Sequence, residues 1–163
     1  MKLNVSPNTA GVIAVEQLGF DPFEAGVLAI TRHFMTGFDA PHLQAWQTGF
    51  AVAVERWGQD IGLNAAYAVM KLVQALRRAR YDFEYNDPLC TNARVWVTAD
   101  EARLMRMLHH MRRDQTNDAR DTLDKLTKGR MDPQVIRAGL TLAARFGAGV
   151  PRRGPRPAFR VVK

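Results

Sequence analysis

The sequence predicts an all-α protein, a compact bundle of six or seven helices with a short irregular or hairpin segment near residues 81–97 and an extended basic tail. Apolar residues recur at spacings of three and four over most of the chain, which is typical of helices with one buried face. Helix-start signals precede several of these runs. With 163 residues, 47% of them hydrophobic, the chain suits one helical domain over 1–148 and a tail over 149–163.

The chain begins with a short predicted helix followed by a longer one. Residues 8–20 contain an apolar run after a polar start, and Gly19 ends it. Asp21 and Pro22 then predict a helix over 22–36. An aspartate accepts the free amide protons of a first helical turn, and proline fits that turn without losing a hydrogen bond.

Two further helices are predicted before residue 81. Asp39, with a proline two residues later, repeats the start signal and predicts a helix over 42–57 that ends at Gly58. The next helix covers 60–80 and is apolar over a wide face. We therefore expect this helix at the centre of the bundle.

The helical pattern breaks over residues 81–97. Tyr81, Phe83 and Tyr85 alternate with acidic residues, and a β-favouring run of Val-Trp-Val follows after several turn formers. This composition predicts a short irregular hairpin or an extended linker. It also marks the boundary between two sub-regions of the domain, 1–80 and 98–147.

Three shorter helices are predicted after this segment. Thr98 and Glu101 have the spacing of a capping box, in which each side chain satisfies the other's backbone amide. The predicted helices of this sub-region cover residues 99–113, 117–128 and 133–146.

The apolar faces of these helices predict the residues of the core. Seven residues on those faces are expected to be buried: Trp46, Phe50, Met70, Val73, Leu104, Leu108 and Leu140.

The positive charge lies in the C-terminal half of the chain. The formal net charge is +7, made up of −2 over residues 1–88, +4 over 89–148 and +5 over 149–163. A basic balance of this kind favours binding to anionic partners, although alone it defines no site.

The tail combines cations with prolines and contains no acidic residue. Prolines prevent a helix and favour an extended segment, which can follow a phosphate backbone. The alternative is a solvated chain end. The candidate anion-binding or partner-binding residues are those of the tail and an arginine pair of the helix over 99–113: Arg152, Arg153, Arg156, Arg160, Lys163, Arg103 and Arg106.

Other polar clusters have ordinary structural explanations. Arg77, Arg78 and Arg80 end a predicted helix, where cations complement the helix dipole. The aromatic residues that follow them are expected to pack in the core rather than stack on nucleic-acid bases. The last helix offers the polar residues Gln134, Arg137, Thr141 and Arg145, which give weak support to reading of a DNA major groove.

No motif of catalysis, metal binding or cofactor binding is present in the sequence. Cys90 is the single cysteine, and a lone cysteine is more often a small buried residue than a nucleophile. His109 and His110 are adjacent and so point in different directions on a helix, which makes them poor joint metal ligands. The sequence therefore predicts no metal, no cofactor and no catalytic residues.

These observations predict a non-enzymatic regulatory or adaptor protein that binds another macromolecule, with a protein as its partner. The alternative is a nucleic-acid-binding protein with mainly electrostatic affinity from the C-terminal half and the tail. An enzyme would instead show a deep polar pocket near Cys90 or the histidines. No signal peptide or membrane-spanning run is recognised, so we expect a cytoplasmic location.

Overall fold

The structure, a computed structural model, describes residues 2–4 and 13–149. Helices form most of this part of the chain, which confirms the all-α prediction. The elements in chain order are β1 (Lys2–Asn4), β2 (Ile13–Ala14), α1 (Pro22–Asp39), α2 (Ala45–Ala79), β3 (Glu84–Asn86), β4 (Trp96–Val97), α3 (Ala99–Met111), α4 (Thr116–Thr127) and α5 (Pro133–Arg145), with short 3₁₀ helices at Val15–Leu18 and Pro41–Leu43.

The described residues contain five α-helices, and the predicted number of six or seven is not confirmed; the helices predicted over 42–57 and 60–80 both lie within α2, which is divided at Gly58. Gly58 interrupts α2 with a non-helical backbone at φ 77° and ψ 168°. A Cβ atom on Gly62 would lie 2.5 Å from the carbonyl oxygen of Ala53. In a straight helix these residues would be about 14 Å apart along the axis. The chain therefore bends sharply at Gly58, where the sequence predicts a helix end.

Three of the predicted helix starts are confirmed by their hydrogen bonds. The Asp21 side chain accepts from the Glu24 amide at 2.8 Å, and the Glu24 carboxylate accepts from the Asp21 amide at 3.0 Å. Thr98 and Glu101 form the same reciprocal pair at the start of α3. Asp132 caps α5 through the amides of the next two non-proline residues.

The helix start predicted at Asp39 is wrong. Asp39 is the last residue of α1, and α2 begins only at Ala45. Gln44 precedes it in a left-handed conformation at φ 50°, without a capping side chain. The Asp39 carboxylate instead accepts a hydrogen bond from the Tyr85 hydroxyl at 2.9 Å.

Strands β3 and β4 pair with the N-terminal segment and not with each other, so the hairpin predicted as one form of residues 81–97 is not present. β1 lies parallel to β3, with Leu3 opposite Tyr85, and β2 lies antiparallel to β4, with Ile13 opposite Val97. The short helix predicted over 8–20 is a strand followed by a 3₁₀ helix from residue 13 onward, and its first residues lie outside the described part.

The core lies between α1, α2 and α3, with α4 and α5 packed against it. Val73, Leu104 and Leu108 are buried as predicted, and Phe50 and Met70 are partly buried. The predictions for Trp46 and Leu140 are wrong, because these side chains are 46% and 51% exposed.

The two errors have different physical reasons. Helix α5 buries Val135, Gly139 and Leu142, and one step along a helix turns a side chain by about 100°, which carries Leu140 off this stripe. The backbone of Trp46 lies against Gly37, where a Cβ would be 2.8 Å from the Trp46 nitrogen. The backbone of Trp46, rather than its indole ring, therefore packs against α1, and the ring is left half-exposed.

Buried arginines join the helices to one another. Arg32 of α1 pairs with Glu101 of α3, Arg80 after α2 pairs with Asp100, and Arg112 after α3 pairs with Glu24. The sequence predicts that Arg80 complements the dipole of its helix, and the structure shows in addition that it is buried in an ion pair inside the fold. No helix of the described residues has the length and apolar character needed to cross a bilayer.

Candidate functional site

A basic groove runs between α2 and α5. It is formed by one polar stripe from each helix, at spacings of four, three and four on α2 and three, four and four on α5. These stripes define the basic groove: Tyr67, Lys71, Gln74 and Arg78 from α2, and Gln134, Arg137, Thr141 and Arg145 from α5.

Small residues create the floor of the basic groove. Ala68, Ala75 and Ala138 line it between the polar stripes, and their short side chains leave space between the longer ones on either rim. The groove has a volume of about 260 Å³. It is therefore a shallow channel with an apolar floor and cationic edges.

The cations of the basic groove are exposed and have no acidic partner within the described part of the chain. Lys71, Arg78, Arg137 and Arg145 form no ion pair with any residue of the described chain. No acidic side chain among residues 13–149 lines the groove. Arg78 and Arg145 lie in the last turns of their helices, where the helix dipole favours a cation. Lys71 and Arg137 lie further inside and lack that explanation.

A second depression adjoins the basic groove at the end of α2. Gln74 and Arg78 line both, and Phe38, Arg77 and Tyr81 complete the second. Tyr81 is 80% exposed. Tyr67, at the opposite end of the basic groove, is 51% exposed. The two depressions together therefore make one cationic surface with an exposed tyrosine ring at each end.

The three arginines at the end of α2 have different roles. Arg77 lies over the Phe38 ring, 4.9 Å from its centroid, and 3.6 Å from Asp39. Arg80 is buried and donates to both oxygens of Asp100. Arg78 alone of the three lines the basic groove. The predicted packing of the rings that follow holds for Phe83 and Tyr85, which are fully buried, and not for Tyr81.

The two described candidates predicted from the sequence, Arg103 and Arg106, lie elsewhere. Arg103 donates to Asp100 at 2.9 Å, and Arg106 is exposed on the same helix. Neither lines the basic groove. The tail candidates Arg152, Arg153, Arg156, Arg160 and Lys163 lie outside the described residues. Anion binding by these residues stays a prediction.

The sequence contains both stripes of the basic groove but does not show that they face each other. The four polar residues of α5 are recognisable as a polar face, and Lys71 is the first cation of its predicted helix. The two stripes are about 60 residues apart in the chain. Their proximity depends on how α2 packs on α5, which apolar periodicity does not specify.

A depression larger than the basic groove lies beside His33. It has a volume of about 770 Å³ and is lined by Glu16, Arg56 and Trp96 among others. Burial lowers the pKa of His33, and the charge of Asp87 acts in the opposite direction. Cys90 is not among the described residues that line it. Over residues 13–149, no three His, Cys, Asp or Glu side chains are grouped so as to hold a metal ion.

An apolar groove lies between α4 and α5, with a volume of about 280 Å³. Its apolar lining consists of Met111, Ala119, Leu123, Met131, Ile136 and Leu140. Leu140, predicted to lie in the core, forms part of this groove. The exposed face of α4 beside it is rich in aspartate, in contrast to the basic groove on the other side of α5.

Comparison of the chain with models of protein families, with curated proteins and with solved structures finds no match. The function is therefore argued from the geometry and charge of the described residues.

Proposed function

We propose that the protein binds nucleic acid through the basic groove. The observation that carries this proposal is the set of four exposed cations on facing helices, without an acidic residue among them. Each cation that neutralises a phosphate releases condensed counterions, so such a groove contributes affinity for a phosphate backbone.

The spacing of the cations supports contact with more than one phosphate. Lys71 and Arg78 are separated by about 10 Å along α2, and Arg137 and Arg145 by about 12 Å along α5, at 1.5 Å of rise per residue. The groove thus presents two cations on each rim. The tail, with its five cations, follows α5 in the chain and would add to the same electrostatic attraction.

The test is the salt dependence of binding to a fluorescein-labelled oligonucleotide, measured by anisotropy. The double variant Lys71→Gln/Arg137→Gln should bind more weakly and should lower the slope of log K against log salt by roughly 1.4 to 1.8, if each cation contacts one phosphate. The matched control is Arg120→Gln/Lys125→Gln on α4, which removes the same charge from the aspartate-rich face. Equal weakening in both variants would mean that net charge alone binds the oligonucleotide, and would overturn the proposal.

A second candidate function is that of an adaptor that binds a protein, and the apolar groove between α4 and α5 favours it. Leu140 is 51% exposed beside Ile136 and Leu123, which is the kind of surface that an apolar side chain of a partner fills. The test is affinity capture from the protein's own cell with nuclease present, using the intact chain and Leu140→Glu. A partner that survives nuclease and is lost with Leu140→Glu would support this function, and capture that disappears with nuclease would contradict it.

A further inference from the structure

We infer that the basic groove and the adjoining depression hold a single-stranded nucleic-acid segment, with bases stacked on Tyr67 and Tyr81. This inference rests on the proposed function and specifies the form of nucleic acid. It depends on where the two exposed tyrosines lie relative to the cations.

The tyrosines lie at the two ends of the cationic surface. Tyr67 begins the α2 stripe, and Tyr81 follows the end of the same helix and lines the adjoining depression. From Tyr67 to the last residue of α2 the helix rises about 18 Å. This length corresponds to about five nucleotides at the stacked spacing of about 3.4 Å. Lys71 and Arg78 lie between the two rings and are placed to contact the backbone of such a segment.

Exposed aromatic rings beside cations are the pattern by which single strands are bound without strong sequence preference. Every base has a flat face that stacks on a tyrosine, while lysine and arginine follow the phosphates. Tyr81 is 80% exposed and Tyr67 51% exposed, so both rings have surface to offer a base. The described residues that line the depression around Tyr81 include no carboxylate, and the carboxylates next to it are paired, Asp39 with Arg77 and Asp82 with Arg80 and Lys128.

A duplex would not use this surface well. Its bases are paired and stacked, so only their edges are accessible, and its major groove admits a helix or a β-ribbon that projects into it. The basic groove is instead a concavity whose rims are the sides of two helices. A duplex on these rims would contact the cations through its phosphates and would offer the tyrosine faces no base to stack on.

The test compares a 12-nucleotide oligothymidine, the same strand paired with its complement, and the corresponding oligouridine, by anisotropy at constant salt. We expect the single strands to bind more tightly than the duplex. Tyr81→Leu and Tyr67→Leu should each weaken single-strand binding roughly 5- to 150-fold. Tyr81→Phe should retain most of the affinity because the ring remains. The control is Trp46→Leu, which removes a half-exposed ring that lines neither depression.

The outcomes separate this inference from the proposed function. The leucine variants should leave the salt slope unchanged, because they remove no charge, whereas Lys71→Gln/Arg137→Gln should lower it. Duplex binding as tight as single-strand binding, or full affinity in both leucine variants, would overturn the stacking inference while the groove proposal stands. Absence of salt-dependent binding to any of the three oligonucleotides would overturn both. Melting midpoints of the leucine variants check that each remains folded.

Discussion

Arg32 and Glu101 form a bidentate ion pair that is closed to solvent, with Nε to Oε1 at 2.7 Å and Nη2 to Oε2 at 2.9 Å. The pair joins the middle of α1 to the first turn of α3. Glu101 also accepts from the backbone amides of Thr98 and Asn86, and Arg32 donates to the carbonyl oxygen of Arg94. One carboxylate therefore caps a helix and orients β3, while its arginine partner holds the loop before β4.

Removing the charge of Glu101 should strongly destabilise the fold. Glu101→Gln keeps the shape of the side chain but leaves the Arg32 guanidinium buried without a counter-charge, which costs about 3–5 kcal/mol. Urea unfolding measures the effect. The control Asp121→Asn, at an exposed position on α4, should change the free energy of unfolding by less than about 0.5 kcal/mol. A Glu101→Gln protein as stable as this control would contradict the structural role of the pair.

Glu24 should give the fold a specific sensitivity to acid. Burial acts to raise the pKa of Glu24, but hydrogen bonds from Arg113, His109 and the Asp21 amide outweigh it, so the pKa lies below the ordinary value of 4.5. The unfolded state therefore takes up the proton first as pH falls. The stability from this carboxylate is fully present above about pH 4.5 and is lost as pH falls through the folded-state pKa.

The variant Glu24→Gln tests this linkage. It should be less stable than the parent near pH 7, because Arg112 and Arg113 lose the negative charge of the carboxylate to which both donate. It should also lose less stability than the parent as pH falls below about 4.5, because the titrating group is absent. Melting midpoints over this range measure both effects. Parallel curves for the two proteins would show that Glu24 does not contribute to acid unfolding.

Truncation of a buried side chain should lower the free energy of unfolding more than truncation of the half-exposed Leu140. Leu108→Ala should cost about 2–5 kcal/mol, and Val73→Ala somewhat less because fewer atoms are removed. Leu140→Ala should cost less than about 1 kcal/mol, since half of that side chain already contacts solvent. Equal destabilisation by Leu108→Ala and Leu140→Ala in chemical unfolding would place Leu140 in the core after all.

Local signals in the sequence identify most of the helices. Each helix cap involves residues no more than three positions apart, so the local sequence is enough to locate it. This holds for the capping boxes at Asp21 and Thr98 and for the cap at Asp132. Asp39 shows the limit of such signals. It has the right neighbours, but contacts with Tyr85 and Arg77 hold it at the end of α1.

Long-range relationships are the part that the sequence does not specify. The pairing of β3 and β4 with the N-terminal segment, and the proximity of Lys71 to Arg137, depend on how distant elements meet. An exposed cation such as Lys71 or Arg137 shows only that its side of the helix faces solvent, which is compatible with many relative orientations of α2 and α5. Only the packed helices show that the two polar stripes line the same groove.

The bend in α2 should depend on glycine at position 62. Gly62→Ala places a Cβ 2.5 Å from the carbonyl oxygen of Ala53, which belongs to the backbone and has little freedom to move. Overpacking of this kind costs about 1–3 kcal/mol. Thermal unfolding should show a midpoint several degrees lower than that of the parent. Gln59→Ala, an exposed position near the bend, is the control, and equal midpoints for the two variants would show that the two segments of α2 separate without a cost in stability.

The tail should contribute affinity and little stability. Deleting residues 149–163 removes Arg152, Arg153, Arg156, Arg160 and Lys163. The deletion retains the hydrogen bond that the Ala148 amide donates to the Arg112 carbonyl oxygen at 3.0 Å, just before the deleted segment. The shortened protein should therefore melt at the same temperature as the intact one.

The salt slope of the shortened protein for oligonucleotide binding should fall by roughly 0.7 to 0.9 for each phosphate that the tail neutralises in the intact protein. Combination with Lys71→Gln/Arg137→Gln should reduce the slope further, if groove and tail contact different phosphates. A shortened protein that melts early, yet binds oligonucleotides as tightly as the intact chain, would identify the tail as a structural strap that stabilises the bundle.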